Sequence, residues 1–137
     1  METSSKQQMA SLYRRIKKEG CCCEWQNDRN RFYEWYEKQL KKQRCLCHYC
    51  HLPGDTNVYY GHYFREPSNK GTRGHHLELE RMCANGLYSP ENCVLACYPC
   101  NNAKSDVFTY EEFLKIGKAI HEAKTWNIPP WSQPNND

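Results

Sequence analysis

Apolar positions recur with a helical period near the start of the chain, where Met9, Leu12, Tyr13 and Ile16 stand at i, i+3, i+4 and i+7. They predict an amphipathic helix over residues 5 to 18, started by Ser4 or Ser5 and ended by Gly20. A second series, Phe32, Trp35, Tyr36 and Leu40, predicts a helix from about Asn27 or Asp28 to about Gln43. Its aromatic stripe belongs in a core, so the N-terminal third reads as a helical layer packed on the rest of the chain. Residues 51 to 74 are rich in Gly, Pro, Asn and Asp and read as loop, with one short strand around Val58 to Tyr60. Alternation takes over from His75 to Glu80: Leu77 and Leu79 point one way, His76, Glu78 and Glu80 the other, and Arg81 follows on the leucine side. After bends at Asn85-Gly86 and Ser89-Pro90, Val94, Leu95 and Ala96 predict a short buried strand, and Asn101 to Ser105 the first turns of a helix. Thr109 and Glu112 form a capping box flanked by Phe108 and Phe113, so a last helix starts there and buries Phe113, Ile116 and Ile120. Beyond Trp126, three prolines among polar residues predict an extended tail.

A chain of 137 residues with 39% hydrophobic content suits one domain with a modest core, and a domain this polar needs a staple. Ten cysteines offer one. The first residues have no apolar run of the signal-peptide kind and no stretch is long enough to span a bilayer, so a cytoplasmic, reducing setting without membrane association is expected. In that setting Cys-x-x-Cys pairs favour metal over disulfide. Cys47-x-x-Cys50 and Cys97-x-x-Cys100 form such a set, a strong signal for structural Zn²⁺ with four thiolate ligands. The 46 residues between the pairs exceed the usual zinc-ribbon spacing, so the two knuckles hold a large insert.

Net charge is +3, unevenly spread: residues 1 to 50 hold eleven Lys/Arg against six acids. That basic half suits a polyanion, with Arg14, Arg15, Lys17 and Lys18 on the outer face of the first helix and Lys41, Lys42 and Arg44 closing the second. Arg73 and Lys104 extend the set of expected nucleic-acid contacts.

The insert has a strand ending Glu80-Arg81, a Ser89-Pro90-Glu91-Asn92 loop and an apolar strand; then come Cys-x-x-Cys and Asn101-x-x-Lys104. Over residues 45 to 108 this order resembles the HNH endonucleases, the ββα-metal class with an embedded zinc, and within them the small dimeric restriction enzymes. The resemblance implies an α+β fold: a ββα-metal (HNH) core stapled by a four-cysteine zinc site, with helices N-terminal and C-terminal to it. It divides the chain into a basic helical layer for DNA binding or dimerisation (1–44), the HNH core with its C-terminal helix (45–125) and a Pro-rich tail (126–137). It implies double-stranded DNA as substrate, a homodimer, and hydrolysis to a 5′-phosphate and a 3′-hydroxyl. Nicking or homing-type cleavage and a noncatalytic DNA-binding module are the alternatives.

Phosphodiester hydrolysis needs a divalent ion against the charge that builds in the transition state. Glu80 and Asn101 offer the hard oxygens that suit Mg²⁺ or Mn²⁺, and the resemblance makes them its ligands and Asn92 a structural tether. Where most HNH enzymes have a catalytic His, this chain has Arg81, which cannot deprotonate water at neutral pH but suits a phosphate clamp. The general base is then expected at His76, ahead of His75, with His62, Tyr59 and Tyr60 as further candidates.

Overall fold

The computed structural model describes residues 3–54, 64 and 76–126. Three helices come first, α1 (Thr3–Glu19), α2 (Cys23–Asn27) and α3 (Arg29–Lys42). Then come two strands, β1 (Glu78–Arg81) and β2 (Cys93–Ala96), and two more helices, α4 (Tyr98–Lys104) and α5 (Tyr110–Thr125). The expected strand at Val58 to Tyr60 and the tail beyond Trp126 lie outside the described residues.

Gly20, at φ 122°, ends α1 and turns the chain into the cysteine run. There Cys21 bridges to Tyr88, and the Cys22 amide donates to the Tyr88 carbonyl at 2.9 Å. The short α2 comes next, an element the apolar period does not reveal because five residues hold little more than one turn. It seats Trp25, fully buried, edge-on against Phe32 at 5.1 Å between ring centroids. The Tyr13 hydroxyl donates to the Trp25 carbonyl at 2.6 Å and ties α1 to α2. Asp28 caps α3 by accepting from the Asn30 amide.

β1 and β2 pair antiparallel with Glu80 opposite Val94 and Arg81 opposite Cys93. Leu77, Leu79 and Leu95 are buried, and Tyr36 of α3 donates to the Leu77 carbonyl at 3.3 Å. The edge of β2 is covered by Gln43: its Nε2 donates to the Leu95 carbonyl at 2.8 Å and its Oε1 accepts from the Leu95 amide at 3.1 Å. A side-chain amide thus satisfies ladder groups that would otherwise be open to another chain. One core runs from Met9 and Ile16 through Trp25 and Phe32 to Leu95 and Phe113.

α4 starts earlier than the sequence suggests, at Tyr98, because Pro99 sits in its first turn, where a missing amide costs nothing. α5 has the capping box: Thr109 accepts from the Glu112 amide at 3.1 Å and the Glu112 carboxylate accepts from the Thr109 amide at 2.9 Å. Phe108 and Phe113 meet at 5.9 Å. Among the described residues no helix is long and apolar enough to cross a membrane.

Candidate active site and metal centre

The two Cys-x-x-Cys turns converge. All four Sγ atoms of Cys47, Cys50, Cys97 and Cys100 lie within 4.8 Å of one another, fully buried. Cys50 and Cys97 stand 3.7 Å apart, close to the edge of about 3.8 Å that a tetrahedron with Zn–S bonds of about 2.3 Å requires. The first knuckle is closed by the Cys47 amide donating to the Leu52 carbonyl and the His51 amide to the Cys47 carbonyl. Burial opposes charge on Cys47, yet hydrogen bonds from Cys100, Cys50 and Cys97 outweigh it and hold its thiol well below the usual range. Hydrogen bonding within the cluster, with Cys100 foremost, pushes Cys97 up, and that with Cys47 pushes Cys100 up. Four buried thiol sulfurs converging this closely are a donor set that fits a single thiophilic divalent ion. All ten cysteines are free of disulfides.

The first knuckle also meets β1. Tyr49, inside the first Cys-x-x-Cys, donates its hydroxyl to Glu80 Oε2. From the other side Lys104 reaches Glu80 Oε1 at 3.3 Å and the carbonyls of Arg81 and Met82 at 3.1 and 3.5 Å. Glu80 is 4% exposed and Lys104 1%. Burial raises the Glu80 carboxyl above its ordinary range, against the opposing pull of the Tyr49 bond and the Lys104 charge. One residue pair further along, Asn101 Nδ2 donates to Glu78 Oε1 at 3.0 Å. The face of β1 that carries Glu78 and Glu80 therefore meets Asn101 and Lys104, which share a face of α4 by their i, i+3 spacing.

At the end of β1 an open cavity of about 370 Å³ is lined by Glu80, Arg81, Asn85, Tyr88 and Asn101, with Arg15 contributed by α1. Arg81 donates to the Gly86 carbonyl at 3.1 Å, and its guanidinium lies over the Tyr88 ring, 4.6 Å from the centroid. The Tyr88 hydroxyl donates to Glu19 at 3.0 Å, and Glu19 pairs with Arg15 at 3.1 Å. Two guanidinium groups are thus fixed beside a polar cavity by one aromatic and one acid. Asn92 holds the loop below it: Oδ1 accepts from the Cys83 amide at 2.9 Å, while Nδ2 donates to the carbonyls of Cys83 and Leu87 at 3.0 and 3.1 Å.

Placement differs from the sequence expectations at three points. Glu80 and Asn101 come to the same cavity, but Asn101 bonds to Glu78, whereas the partners of Glu80 are Tyr49 and Lys104. Lys104, expected on the DNA-facing surface, is buried in that ion pair. His76 lines a separate cavity with Tyr36, Arg44 and Leu77. Arg14, Arg15, Lys17, Lys18, Lys41, Lys42 and Arg44 are exposed. Arg73, His75, His62, Tyr59 and Tyr60 lie outside the described residues. Tyr49, Tyr88 and Glu19 escape sequence reasoning, and Glu78 enters it only as a strand-face neighbour of Glu80; the position of Tyr49 between two zinc-type cysteines alone hints at its place.

No protein-family model matches the chain, and no curated protein matches it significantly. Among solved structures it is similar to PacI, a rare-cutting HNH restriction endonuclease described for its mechanism of DNA perturbation. The two share a TM-score of 0.59 and 27% sequence identity over 83% of this chain and 74% of that one. This is an HNH endonuclease fold. In HNH terms β1, β2 and α4 are the ββα unit, and the four cysteines form a cluster able to staple it. Similarity to an HNH restriction endonuclease supports a nuclease function. Hard oxygens from Glu78, Glu80 and Asn101 on one strand–helix seam, with a cation already seated there, fit a divalent ion in chemical type.

Proposed function

We propose that the chain is a DNA endonuclease that hydrolyses phosphodiester bonds with one divalent ion per active site, a cytoplasmic enzyme of the restriction type acting as a homodimer. The observation that carries this reading is the cavity at the end of β1, which combines Arg81 and Arg15 with Glu80 and Asn101 on an HNH frame. Glu80 and Asn101 would hold Mg²⁺ or Mn²⁺, which when bound offsets negative charge on the phosphate and the leaving oxygen. The four cysteines would hold Zn²⁺.

The chain's own groups divide the remaining work. Arg81, stacked on Tyr88, and Arg15, paired to Glu19, bind the nonbridging oxygens and orient the phosphate. Exposed Lys17, Lys18, Lys41 and Lys42 contact flanking phosphates without reading sequence. The general base is assigned to the histidine pair. His76 stays ahead of His75 as the expected base: single His76→Ala and His75→Ala variants should differ strongly in cleavage rate with zinc content unchanged, and equal, small effects would point to Tyr59, Tyr60 or His62.

The test is a supercoiled plasmid assay with Mg²⁺ or Mn²⁺ beside gel filtration. Linear product from a dimer supports restriction-type cleavage, and open circles alone from a monomer support nicking. Arg81→Ala and Asn101→Ala should each cost on the order of 100-fold in rate with zinc content unchanged; full cleavage by both would remove the site assignment. The second reading, a noncatalytic zinc-stapled DNA-binding module, is favoured by one observation: both oxygens of Glu80 already have partners. Salt-dependent DNA binding with no cleavage in either ion would select it.

A further inference from the structure

We infer that Lys104 is a tethered cation competing with the divalent ion for Glu80, so that ion uptake and release of the Lys104 ammonium are one event. The inference deepens the nuclease reading and rests on one part of it, the assignment of Glu80 as an ion ligand.

The ammonium meets one carboxylate oxygen and the two carbonyls of Arg81 and Met82, at 3.3, 3.1 and 3.5 Å. These are hard, anionic or strongly dipolar oxygens, the donor type that Mg²⁺ and Mn²⁺ select. The second oxygen of Glu80 is taken by the Tyr49 hydroxyl, which the zinc-type knuckle holds in place. An ion that uses Glu80 without disturbing the Tyr49 bond enters at Oε1, where Lys104 sits. Contact there, at 3.3 Å, is longer than the roughly 2.7–2.9 Å of a tight charge-assisted bond, so the ammonium holds Oε1 loosely. Two cations within a few ångströms of each other in a buried site repel strongly, which sets the ion against the ammonium at Oε1.

Lys104 is also placed to leave. It is the last residue of α4, followed by Ser105 at φ 44°, and its flexible four-carbon stem can swing to solvent without unwinding the helix. Asn101 stands one helical turn earlier on the same face, so the ion would meet its second proposed ligand where the ammonium departs.

The full chain, zinc-loaded, is exposed briefly to an amine-acylating reagent with and without MnCl₂, and modified lysines are mapped by mass spectrometry. Bound Mn²⁺ is counted from the loss of its free-ion paramagnetic resonance signal. Lys104, 1% exposed, should resist modification without Mn²⁺ while exposed Lys17 and Lys41 react. With Mn²⁺ its reactivity should rise about 10-fold or more, as a minor open state becomes the major one, and Glu80→Gln should abolish that rise. Protection of Lys104 that persists in Mn²⁺, or reactivity already present without it, overturns the competition. Plasmid cleavage run on the same samples separates the two ideas. Cleavage with Lys104 still protected keeps the nuclease and removes the competition; Mn²⁺-dependent exposure without cleavage keeps the competition and removes the nuclease.

Discussion

At Glu80 three residues far apart in sequence meet, and each contributes a different physical term. Burial makes the carboxylate costly, the Tyr49 hydroxyl satisfies one oxygen and Lys104 balances the charge. Removing a partner of a buried ion pair leaves the other uncompensated, so Lys104→Met should destabilise the fold by about 3–5 kcal/mol in urea unfolding at neutral pH. Adding Glu80→Gln to that variant should recover most of the loss, because no buried charge then remains. The defect of Lys104→Met should also grow with pH. Its Glu80 has a pKa raised by burial and no longer opposed by the ammonium, so the protonated, cheaply buried form prevails at low pH and is lost as pH rises through the folded pKa. A deficit that shrinks toward high pH would contradict this account. Tyr49→Phe removes one donor from a buried acceptor and should cost about 1–3 kcal/mol by the same measurement. None of these pairings has a sequence pattern. Glu80, Asn101 and Lys104 stand out in the chain by motif spacing, whereas Tyr49, and the pairing of Lys104 with Glu80, enter only because folding brings them within reach.

At the scale of elements, α5 is the part most legible from the chain, since a capping box and a staple are local signals. Thr109→Ala should lower stability by about 1 kcal/mol, read as a fall in the unfolding midpoint. Gly117 in the same helix is less obvious. A Cβ there would strike the carbonyl group of Tyr49, so α5 lies directly on the first knuckle. Gly117→Ala should cost about 1–3 kcal/mol, although alanine favours helices, because the backbone it meets cannot yield like a flexible side chain. A stabilised Gly117→Ala protein would mean that the helix can lift off the knuckle. By contrast α2 is invisible in the sequence: its packing depends on Cys21 and Cys22 pairing with the Tyr88 loop more than sixty residues away.

For the whole molecule the four cysteines decide whether the two halves stay together. Zinc ligation requires thiolates, so binding Zn²⁺ to the four cysteines must release protons from them. Zinc affinity should therefore rise with pH, and titration in the presence of a competing chelator at several pH values checks it. Stripping zinc should abolish cooperative unfolding, since Tyr49, α4 and α5 are all referred to the same cluster. A chelator-treated chain with an unchanged melting transition would limit the cysteines to a minor structural role.

The sequence by itself determined the apolar faces of α1, α3 and α5, the two strands, the cysteine spacing and the HNH order of motifs. All of these are set by local periodicity, capping chemistry or fixed spacing, which a chain displays without folding. Tertiary structure alone decided that Lys104 is buried instead of facing DNA, that Asn101 bonds to Glu78, that His76 opens onto another cavity and that Arg15 stands beside Arg81. Those outcomes depend on which face of α4 meets β1 and where α1 ends relative to the Tyr88 loop. Packing between elements distant in sequence settles both, and no local signal encodes it.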